Sequence, residues 1–366
     1  MAVEQIFGLV NDIAEQSNGM IPVATADTSS LVAMGNAVLN TNATVEYFLN
    51  SISQRINANI IRFRRYPSKF DTLAWDDIKW GAAARKIDIE VPDFEESEVY
   101  KLQNGQSIDP WVVNKPKARQ KIFIKETPYV LPLTIQRELL KRAFTSAGEL
   151  ESFISGVMGE SQNKLTKALD NLARLSICNM IMSTTKVFDL VTIYNNLTGN
   201  TITTGTDSLN DADFLRWSVG FMNLISRKMS DASVDYNAEG QDRFTPFENQ
   251  IMYILADYEV ALQTKALSTT YNDKYVQLRK NETVSFWQGS KDPYAVRAKA
   301  ELPQRTEEDN IIAVLFDEWA LGTYRRETDV LTTPVNARAK YYNVFWHANQ
   351  LWFNDLQENF VYFTLN

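Results

Sequence analysis

The residue types that carry most enzyme chemistry are scarce in this chain of 366 residues. His347 is the only histidine, which excludes any site that needs two histidines, such as the common zinc protease and iron oxygenase sites. A Ser-His-Asp triad would have to use His347, yet no nucleophile-elbow pattern is present to supply its serine. The only cysteine, Cys178, lies in the apolar stretch LARLSICNMIM and is typical of a small core residue. We therefore predict no catalytic residue and interpret His347 as a packed or hydrogen-bonded strand histidine.

Acidic clusters are the remaining candidates for chemistry. The segments Asp93–Glu96 (DFEE) and Glu307–Asp309 (EED) could bind a divalent cation, but solvated loops are the commoner outcome for such runs and are favoured here. The glycines are few and scattered, and they fit neither a phosphate-binding loop nor a dinucleotide fingerprint. We predict no metal and no cofactor. A hydrolase that uses a pair of carboxylates stays open as a less favoured alternative.

The charge balance narrows the possible partners. Lysine and arginine number 37 against 45 aspartate and glutamate residues, so the net charge is −8, with a pI near 5.0. This balance disfavours a nucleic-acid reader and binding to an anionic membrane. No apolar run is long enough to span a membrane, and the acidic residues Glu4, Asp12 and Glu15 argue against a secretory signal. With one cysteine, no intrachain disulfide can form, and a reducing compartment is expected.

The N-terminal region predicts two helices and an apolar connection. Apolar residues recur at helical spacing over 2–17 and again over 44–60, and Asn18-Gly19 supplies a stop for the first helix. Residues 20–41 are apolar to neutral and poor in charge. They are too apolar for a free linker and too irregular for a core element. We expect them to form an arm that lies across another surface.

A long hairpin is predicted next. The segment RKIDIEV at 85–91 alternates charged and apolar residues, RQKIFIK at 119–125 returns as a second strand, and Asn104-Gly105 is a turn signal. Both faces of the hairpin are expected to be solvent-exposed, apart from a few apolar residues such as Trp111. Because an isolated hairpin is only marginally stable in water, something else must hold it, and a neighbouring subunit is the simplest candidate.

The strongest helical signal follows the hairpin. PLTIQRELLKRAF at 132–144 predicts a short helix, and Ser146 with Glu149 forms a capping-box pair. Helical spacing then continues to Met182, which would give an unbroken helix of roughly 55 Å. Strand and helix patterns alternate over 190–305 and predict a compact α/β lobe.

Buried and aromatic strands close the chain. NIIAVLFDEWALG at 310–322 predicts a buried strand with a turn, and YYNVFWHANQLWF at 341–353 predicts a long strand. One face of the long strand is expected to pack on the long helix and the other to be partly exposed or to meet a neighbour. The first face would carry Tyr342, Val344, Trp346 and Ala348. The second would carry Tyr341, Asn343, Phe345 and His347.

Four segments, taken in order, resemble a known family. They are IPVATADTSSLVAMGNAVLN at 21–40, TIQRELLKRAFTSAGELESFIS at 134–155, NIIAVLFDEWALG at 310–322 and YYNVFWHANQLWFNDLQENFVYF at 341–363. This ordered set resembles the major capsid proteins of tailed bacteriophages, which have the Hong Kong 97 fold. It is most similar to the major head protein of small podoviruses with protein-primed genomes, of the Bacillus-phage type. One departure is that those relatives carry an immunoglobulin-like module after the last strands, whereas this sequence stops at Asn366.

The resemblance implies an α+β fold of the Hong Kong 97 type with an extended β-hairpin loop and a long spine helix. The implied parts are an N-terminal arm (1–60), an extended loop (81–130), a peripheral domain with the spine helix (131–189 and 306–366) and an axial domain (190–305). The residue patterns by themselves also favour contacts between subunits, because the apolar arm and the solvated hairpin would both gain stability if other subunits covered them.

The function implied is that of a major capsid protein. Such a protein self-assembles through pentamers and hexamers into the icosahedral head shell around a double-stranded DNA genome, without reading its sequence. It would belong to the virion, assemble in the host cytoplasm with probable scaffold and portal proteins, and bind no membrane. The alternative within the same fold is the shell protein of a cellular nanocompartment.

The subunit interface is expected to involve the hairpin, its acidic loop and a basic cluster. The arginines of RFRRYP could contact acidic partner loops such as 93–98 or nucleic acid, and the protein contact is favoured. The predicted interface residues are Arg62, Arg64, Arg65, Arg85, Glu95, Glu96, Glu98, Trp111, Val112, Val113 and Phe345.

Overall fold

The fold is taken from a computed structural model of the chain. The structure describes residues 3–25, 27–59, 66–75, 84–92, 96–97, 101–109, 111–124, 126–202, 205–267, 281–288, 292–297 and 307–366.

Helices dominate the first two thirds of the chain. The α-helices are α1 (Val3–Gln16), α2 (Thr28–Val38), α3 (Asn42–Asn59), α4 (Arg137–Ala143), α5 (Ala147–Phe153), α6 (Glu160–Ser183), α7 (Leu190–Thr198), α8 (Ala212–Lys228) and α9 (Ala256–Ala261). Short 3-10 helices occupy Asp71–Leu73, Gly205–Asn210 and Phe247–Asn249, and π turns occupy Ile154–Gly159 and Leu262–Leu267. In the part of the chain that the structure describes, no helix combines the length and apolarity needed to cross a bilayer.

The strands form two main sheets and two small pairs. The strands are β1 (Ala74–Trp75), β2 (Ala84–Glu90), β3 (Lys117–Phe123), β4 (Glu126–Gln136), β5 (Val187–Asp189), β6 (Gln250–Leu255), β7 (Glu282–Val284), β8 (Val296–Arg297), β9 (Glu307–Glu308), β10 (Ile311–Asp317), β11 (Leu321–Thr332), β12 (Tyr341–Asn354) and β13 (Phe360–Thr364). The long-strand sheet has the order β1-β11-β12-β4, and the central sheet has the order β5-β13-β10-β6-β7. β2 pairs with β3, and β8 pairs with β9.

The predicted division of the aromatic strand into two faces is confirmed. Along β12, side chains alternate between buried and half-buried from Tyr341 to Gln350, opposite a bulge in β11. The buried face carries Tyr342, Val344, Trp346 and Ala348, and the half-buried face carries Tyr341, Asn343, Phe345 and His347. The period of two follows from the pleat, which sends successive side chains to opposite sides of a sheet.

The buried face of β12 is covered by more helices than predicted. Tyr342, Val344 and Trp346 share one apolar core with α1, α2 and α3 as well as with α5. The prediction that the long helix covers this face is therefore correct but incomplete.

The expectation that residues 20–41 are too irregular for a core element is wrong. They contain α2, whose first turn is capped by Asp27 through a 2.6 Å hydrogen bond from the Ser30 backbone N–H. Leu31, Met34 and Val38 are buried in the same core as β12. The large apolar residues form only a narrow stripe on α2, because alanine, glycine and serine lie between them. The helical period of this segment is therefore weak in the sequence. These apolar residues are covered within the chain and need no second subunit.

The predicted helix at 132–144 is half wrong. Residues up to Gln136 belong to β4, which pairs antiparallel with β12, and α4 begins only at Arg137. The cross-strand pairing overrides the local helical pattern. β4 lies at the edge of the long-strand sheet, which accommodates Pro128 and Pro132 because an edge strand has backbone donors that need no partner.

The long helix predicted from Ser146 to Met182 is present, with one interruption. Ser146 caps it as expected, accepting a 3.2 Å hydrogen bond from the Glu149 backbone N–H. The helix then runs through α5, the π turn at Ile154–Gly159 and α6. The turn contains Gly156 and Gly159, the glycines at which a bend was anticipated.

The central sheet is covered on both faces. Alternate residues of β6, β10 and β13 enter one core with α7, α8 and α9, and the others enter a second core with the C-terminal half of α6. Phe316 and Tyr362 lie on the α6 side, whereas Leu315 and Phe363 lie on the other. β10 and β13 thus belong to the same sheet as β6 and β7, and the expected boundary at residues 305 and 306 crosses that sheet.

A close approach between α2 and Phe144 gives the first prediction. A Cβ atom at Gly35 would lie 2.5 Å from the side chain of Phe144, whereas a Cβ at Gly8 on α1 meets nothing within 4 Å. We expect Gly35→Ala to lower the free energy of unfolding by about 1–3 kcal/mol, because overpacking outweighs the gain in helix propensity. Gly8→Ala, the matched control, is expected to be neutral or stabilising by up to about 1 kcal/mol. Urea unfolding of the unassembled protein measures both. Equal stability of the two variants would contradict the packing described for α2.

Candidate functional site

The β2–β3 hairpin is the element that stands apart from both sheets. The two strands pair antiparallel, with Lys86 directly opposite Lys121, as the alternating pattern predicted. Gly105 has a φ of +92°, which confirms the turn expected at Asn104-Gly105. Among the described strands, the hairpin pairs with neither main sheet, so its direction is set by side-chain contacts together with the short link from β3 to β4.

The outer face of the hairpin is apolar. Ile87 and Ile89 on β2 and Ile122 on β3 are each more than half exposed, and Ile124 just after β3 is 70% exposed. This arrangement reverses the usual pattern of a surface hairpin, in which branched apolar residues face the protein body. A run of exposed isoleucines on a flat strand pair is typical of a surface that another protein covers.

The inner face of the hairpin is charged and is held by an ion cluster. Lys86 contacts Asp355 at 2.6 Å (Nζ to Oδ2) and also pairs with Glu358. Lys121 contacts the other oxygen of Asp355, again at 2.6 Å (Nζ to Oδ1). Asp88 pairs with Arg243, whose Nε lies 3.6 Å from Glu358. We call these residues (Lys86, Asp88, Lys121, Arg243, Asp355 and Glu358) the hairpin ion cluster.

The Asp355 carboxylate is the centre of this cluster. Its side chain is fully buried. Burial alone would raise its pKa, but the hydrogen bonds donated by Lys121 and Lys86 outweigh burial and hold the pKa below its ordinary range. The sequence folds in this way because Asp355 opens the short turn between β12 and β13, whose backbone is fixed by a 2.7 Å bond from the Asp355 N–H to the Ala320 carbonyl.

An aromatic contact adds to the anchor. Phe123, at the end of β3, packs against Phe353 with ring centroids 5.0 Å apart. Phe353 in turn contacts Trp75 and Tyr324, at 6.0 Å and 5.7 Å. The base of the hairpin is thus held by both charged and aromatic contacts within one chain. The hairpin is held by something else, as expected, but at its base this is the body of the same chain and not the neighbouring subunit that was the simplest candidate.

The described residues of the loop between the strands are mostly exposed. Trp111 is 85% exposed, and its backbone N–H donates to Asp109 at 2.9 Å. Val112 and Val113 beside it are also exposed. Glu96 pairs with Lys101 at 3.0 Å on the surface. Three consecutive large apolar residues are thus exposed on the surface of the single chain.

The predicted interface residues fall on separate elements. Arg85 lies on the outer face of β2, Trp111, Val112 and Val113 lie in the loop, and Phe345 lies on the half-buried face of β12. Its ring lies 6.4 Å from that of His347, which is a half-buried strand histidine as interpreted. The residues Arg62, Arg64, Arg65, Glu95 and Glu98 lie outside the described residues.

The residues that could have carried chemistry take structural roles. Cys178 is buried, and desolvation raises the pKa of its thiol to about 12, as befits a core residue. Among the residues that the structure describes, no group of three or more histidine, cysteine, aspartate or glutamate side chains is placed to hold a metal ion. The buried carboxylates of the hairpin ion cluster are engaged by lysine and arginine.

Sequence reasoning missed the ion cluster. Half of its signal was available, because RKIDIEV places Lys86 and Asp88 on one face and the isoleucines on the other. The position of the acidic partners could not be predicted, since nothing in NDLQEN shows that Asp355 and Glu358 would lie beneath that face. Only the path of the chain from β12 to β13 brings them there.

Comparisons with known proteins point in one direction. A family model described as Phi29-like phage major capsid protein matches residues 9–364. No curated protein matches the chain.

Solved structures with a similar fold are phage capsids. A capsid structure of Staphylococcus phage Andhra is 11% identical with a TM-score of 0.53, covering 85% of this chain and 87% of that one. A capsid structure of cyanophage P-SCSP1u is 14% identical with a TM-score of 0.50, covering 84% and 90%. At these identities the likeness shows the fold, which is of the Hong Kong 97 type.

A buried carboxyl beside the cluster gives the next prediction. Burial raises the pKa of Asp317 to about 6 from an ordinary 3.8, although hydrogen bonds from the Trp319 N–H (2.8 Å) and Thr245 act against burial, and the charge of Glu358 adds to the rise. A carboxyl with a raised pKa contributes stability that is present below its unfolded pKa and lost as pH rises through its folded pKa. We expect Asp317→Asn to match the wild type near pH 3.8 and to exceed its free energy of unfolding by about 3 kcal/mol above pH 6.

The measurement is urea unfolding at a series of pH values, with Asp213→Asn as the control. Asp213 pairs with Arg216 on the surface, and its side chain is 79% exposed. A difference between Asp317→Asn and wild type that does not change with pH would contradict the raised pKa.

Proposed function

This chain belongs to the family of Phi29-like phage major capsid proteins and is a protein of the phage head shell, and we propose that its hairpin and loop join neighbouring copies in that shell. The observation that carries the proposal is the reversed polarity of the hairpin, with ion pairs beneath it and isoleucines outside. The copies would assemble as pentamers and hexamers into an icosahedral shell around double-stranded DNA.

The parts of the fold take different roles in this proposal. Helices α1–α3 correspond to the arm (1–60), and the hairpin with its loop to the extended loop (81–130). The long helix with the long-strand sheet corresponds to the peripheral domain (131–189 and 306–366). The central sheet with α7, α8 and α9 corresponds mainly to the axial domain (190–305). β10 and β13 then join the two domains, because they lie in the central sheet and are continuous with β11 and β12.

The predicted interface residues would act at four places. Trp111, Val112 and Val113 would insert their apolar side chains into a neighbour, since large aromatic residues dominate the energetics of protein interfaces. Arg85 would flank the isoleucines, and Phe345 would be covered on the outer face of the long-strand sheet. The arginines at 62, 64 and 65 would pair with the acidic residues at 95, 96 and 98 of another copy.

The remaining partners follow from the role in a shell. We propose that scaffold and portal proteins direct assembly in the host cytoplasm, and that the acidic chain encloses DNA without reading its sequence. A net charge of −8 limits adhesion to phosphate at short range. The protein has a structural role, and we propose that it has no catalytic activity. The alternatives of a nanocompartment shell and a carboxylate-dependent hydrolase have no support in the comparisons.

Assembly of the purified protein tests the shell. Size-exclusion chromatography with negative-stain microscopy, in the presence of co-expressed scaffold, is expected to show capsomers or closed shells. A stable monomer of 41.8 kDa under all conditions would contradict the proposal.

Replacement of residues 101–115 by a short Gly-Ser linker tests the loop. This variant keeps β2, β3 and the ion cluster, so we expect its urea unfolding to match the wild type and its particle yield to fall at least roughly tenfold, which is about 1.4 kcal/mol of lost contact. The point variant Trp111→Ser should act in the same direction with unchanged unfolding, because Trp111 is exposed in the free chain. Normal particles from both variants would remove the loop from the interface while leaving the shell assignment intact.

A further inference from the structure

The ion cluster beneath the hairpin has a role beyond the fold of the chain. We infer that Asp355 and Glu358, with Arg243, act as a latch that fixes the direction of the hairpin in the unassembled protein, so that its isoleucine face is presented for assembly. Lys86, Asp88 and Lys121 are the hairpin side of this latch. The inference rests on the proposed function of the hairpin, and it concerns positioning residues.

The first step is that the hairpin cannot order itself. Lys86 and Lys121 are direct partners across the two strands, and like charges at such positions repel. An isolated two-stranded hairpin is marginal even without this repulsion. Asp355 removes it by accepting from both lysines, one on each carboxylate oxygen.

The second step is that the latch holds both strands. β2 supplies Lys86 and Asp88, and β3 supplies Lys121. The hairpin therefore contacts the body through three side chains on two different strands. On the body, the turn between β12 and β13 supplies Asp355 and Glu358. Clamping both strands sets the direction of the hairpin as well as its attachment.

The third step is that a state in which the hairpin has moved away from the body is unfavourable in free energy. Three cations (Lys86, Lys121, Arg243) face three carboxylates (Asp88, Asp355, Glu358), and Glu239 adds a weaker contact at 3.9 Å from Lys121. If the hairpin swung away, the buried Asp355 would lose both of its cations. The carboxylate would keep only the 3.1 Å hydrogen bond from the Gln357 backbone N–H, and a buried charge without a counter-charge is unfavourable, so the closed direction is preferred.

Hydrogen–deuterium exchange of the unassembled full chain tests the latch. In Asp355→Asn, the amides of β2 and β3 are expected to exchange roughly 10- to 100-fold faster, as expected for the loss of a charge-assisted hydrogen bond, while those of β10 and β13 stay protected. Particle yield should fall with it. Asp213→Asn, which breaks the exposed pair with Arg216 on α8, is the matched control and should change neither the exchange of β2 and β3 nor the particle yield.

A second-site variant separates the latch from a simple loss of stability. Adding Lys121→Met to Asp355→Asn removes the repulsion between the lysines, so hairpin protection and particle yield should recover in part. Lys121→Met alone leaves the buried turn unchanged. It should accelerate amide exchange in β2 and β3 less than Asp355→Asn does.

The outcomes distinguish the latch from the shell proposal. Unchanged exchange in both single variants would overturn the latch, since the contact between Phe123 and Phe353 would then suffice. Faster exchange with normal particles would overturn its role in assembly while leaving the shell proposal standing. Failure of the wild-type chain to form particles would count against the shell proposal instead.

Discussion

The short turn from Asp355 to Asn359 is the constraint on which the rest of the structure depends. It ends β12 in the long-strand sheet and starts β13 in the central sheet, so it fixes the two sheets relative to each other. Its backbone is held by the 2.7 Å bond from the Asp355 N–H to Ala320, and the fully buried Asn359 donates to Thr245 at 3.1 Å. The same turn supplies the carboxylates that hold the hairpin. One buried segment thus sets the geometry of the core and of the projecting element together.

The reversed polarity of the hairpin follows from its two different environments. The inner face meets buried carboxylates, where lysine is stabilised by direct pairing and isoleucine would leave Asp355 without a cation. The outer face is exposed in the single chain, where isoleucine gains nothing. A sequence selected only for the stability of the monomer would place polar residues there. In the proposed assembly, a neighbouring copy covers these isoleucines.

Local patterns predicted those elements whose side-chain period is strict. The alternation in 341–353 predicted both faces of β12, and the capping pair Ser146 and Glu149 predicted the start of the long helix. The prediction was wrong where the pattern was weak or fitted a neighbouring element as well. Residues 28–38 form a buried helix despite their small residues, and 132–136 pair with β12 although they continue a helical pattern. The pairing in the ion cluster could not be predicted from local patterns, because Lys86 and Asp355 are brought together only by the path of the whole chain.

The latch also bears on the energetics of assembly. A flexible loop that orders on binding loses conformational freedom at that moment, which weakens the contact it forms. Here the base of the hairpin is ordered within the folded chain by Asp355, so the ordering of β2 and β3 draws on the free energy of folding. The proposed contact of Trp111 with a neighbour would then start from a hairpin base that is already in place. Since a shell repeats each contact many times by symmetry, even a modest gain per copy from this prior ordering would shift the balance strongly toward assembly.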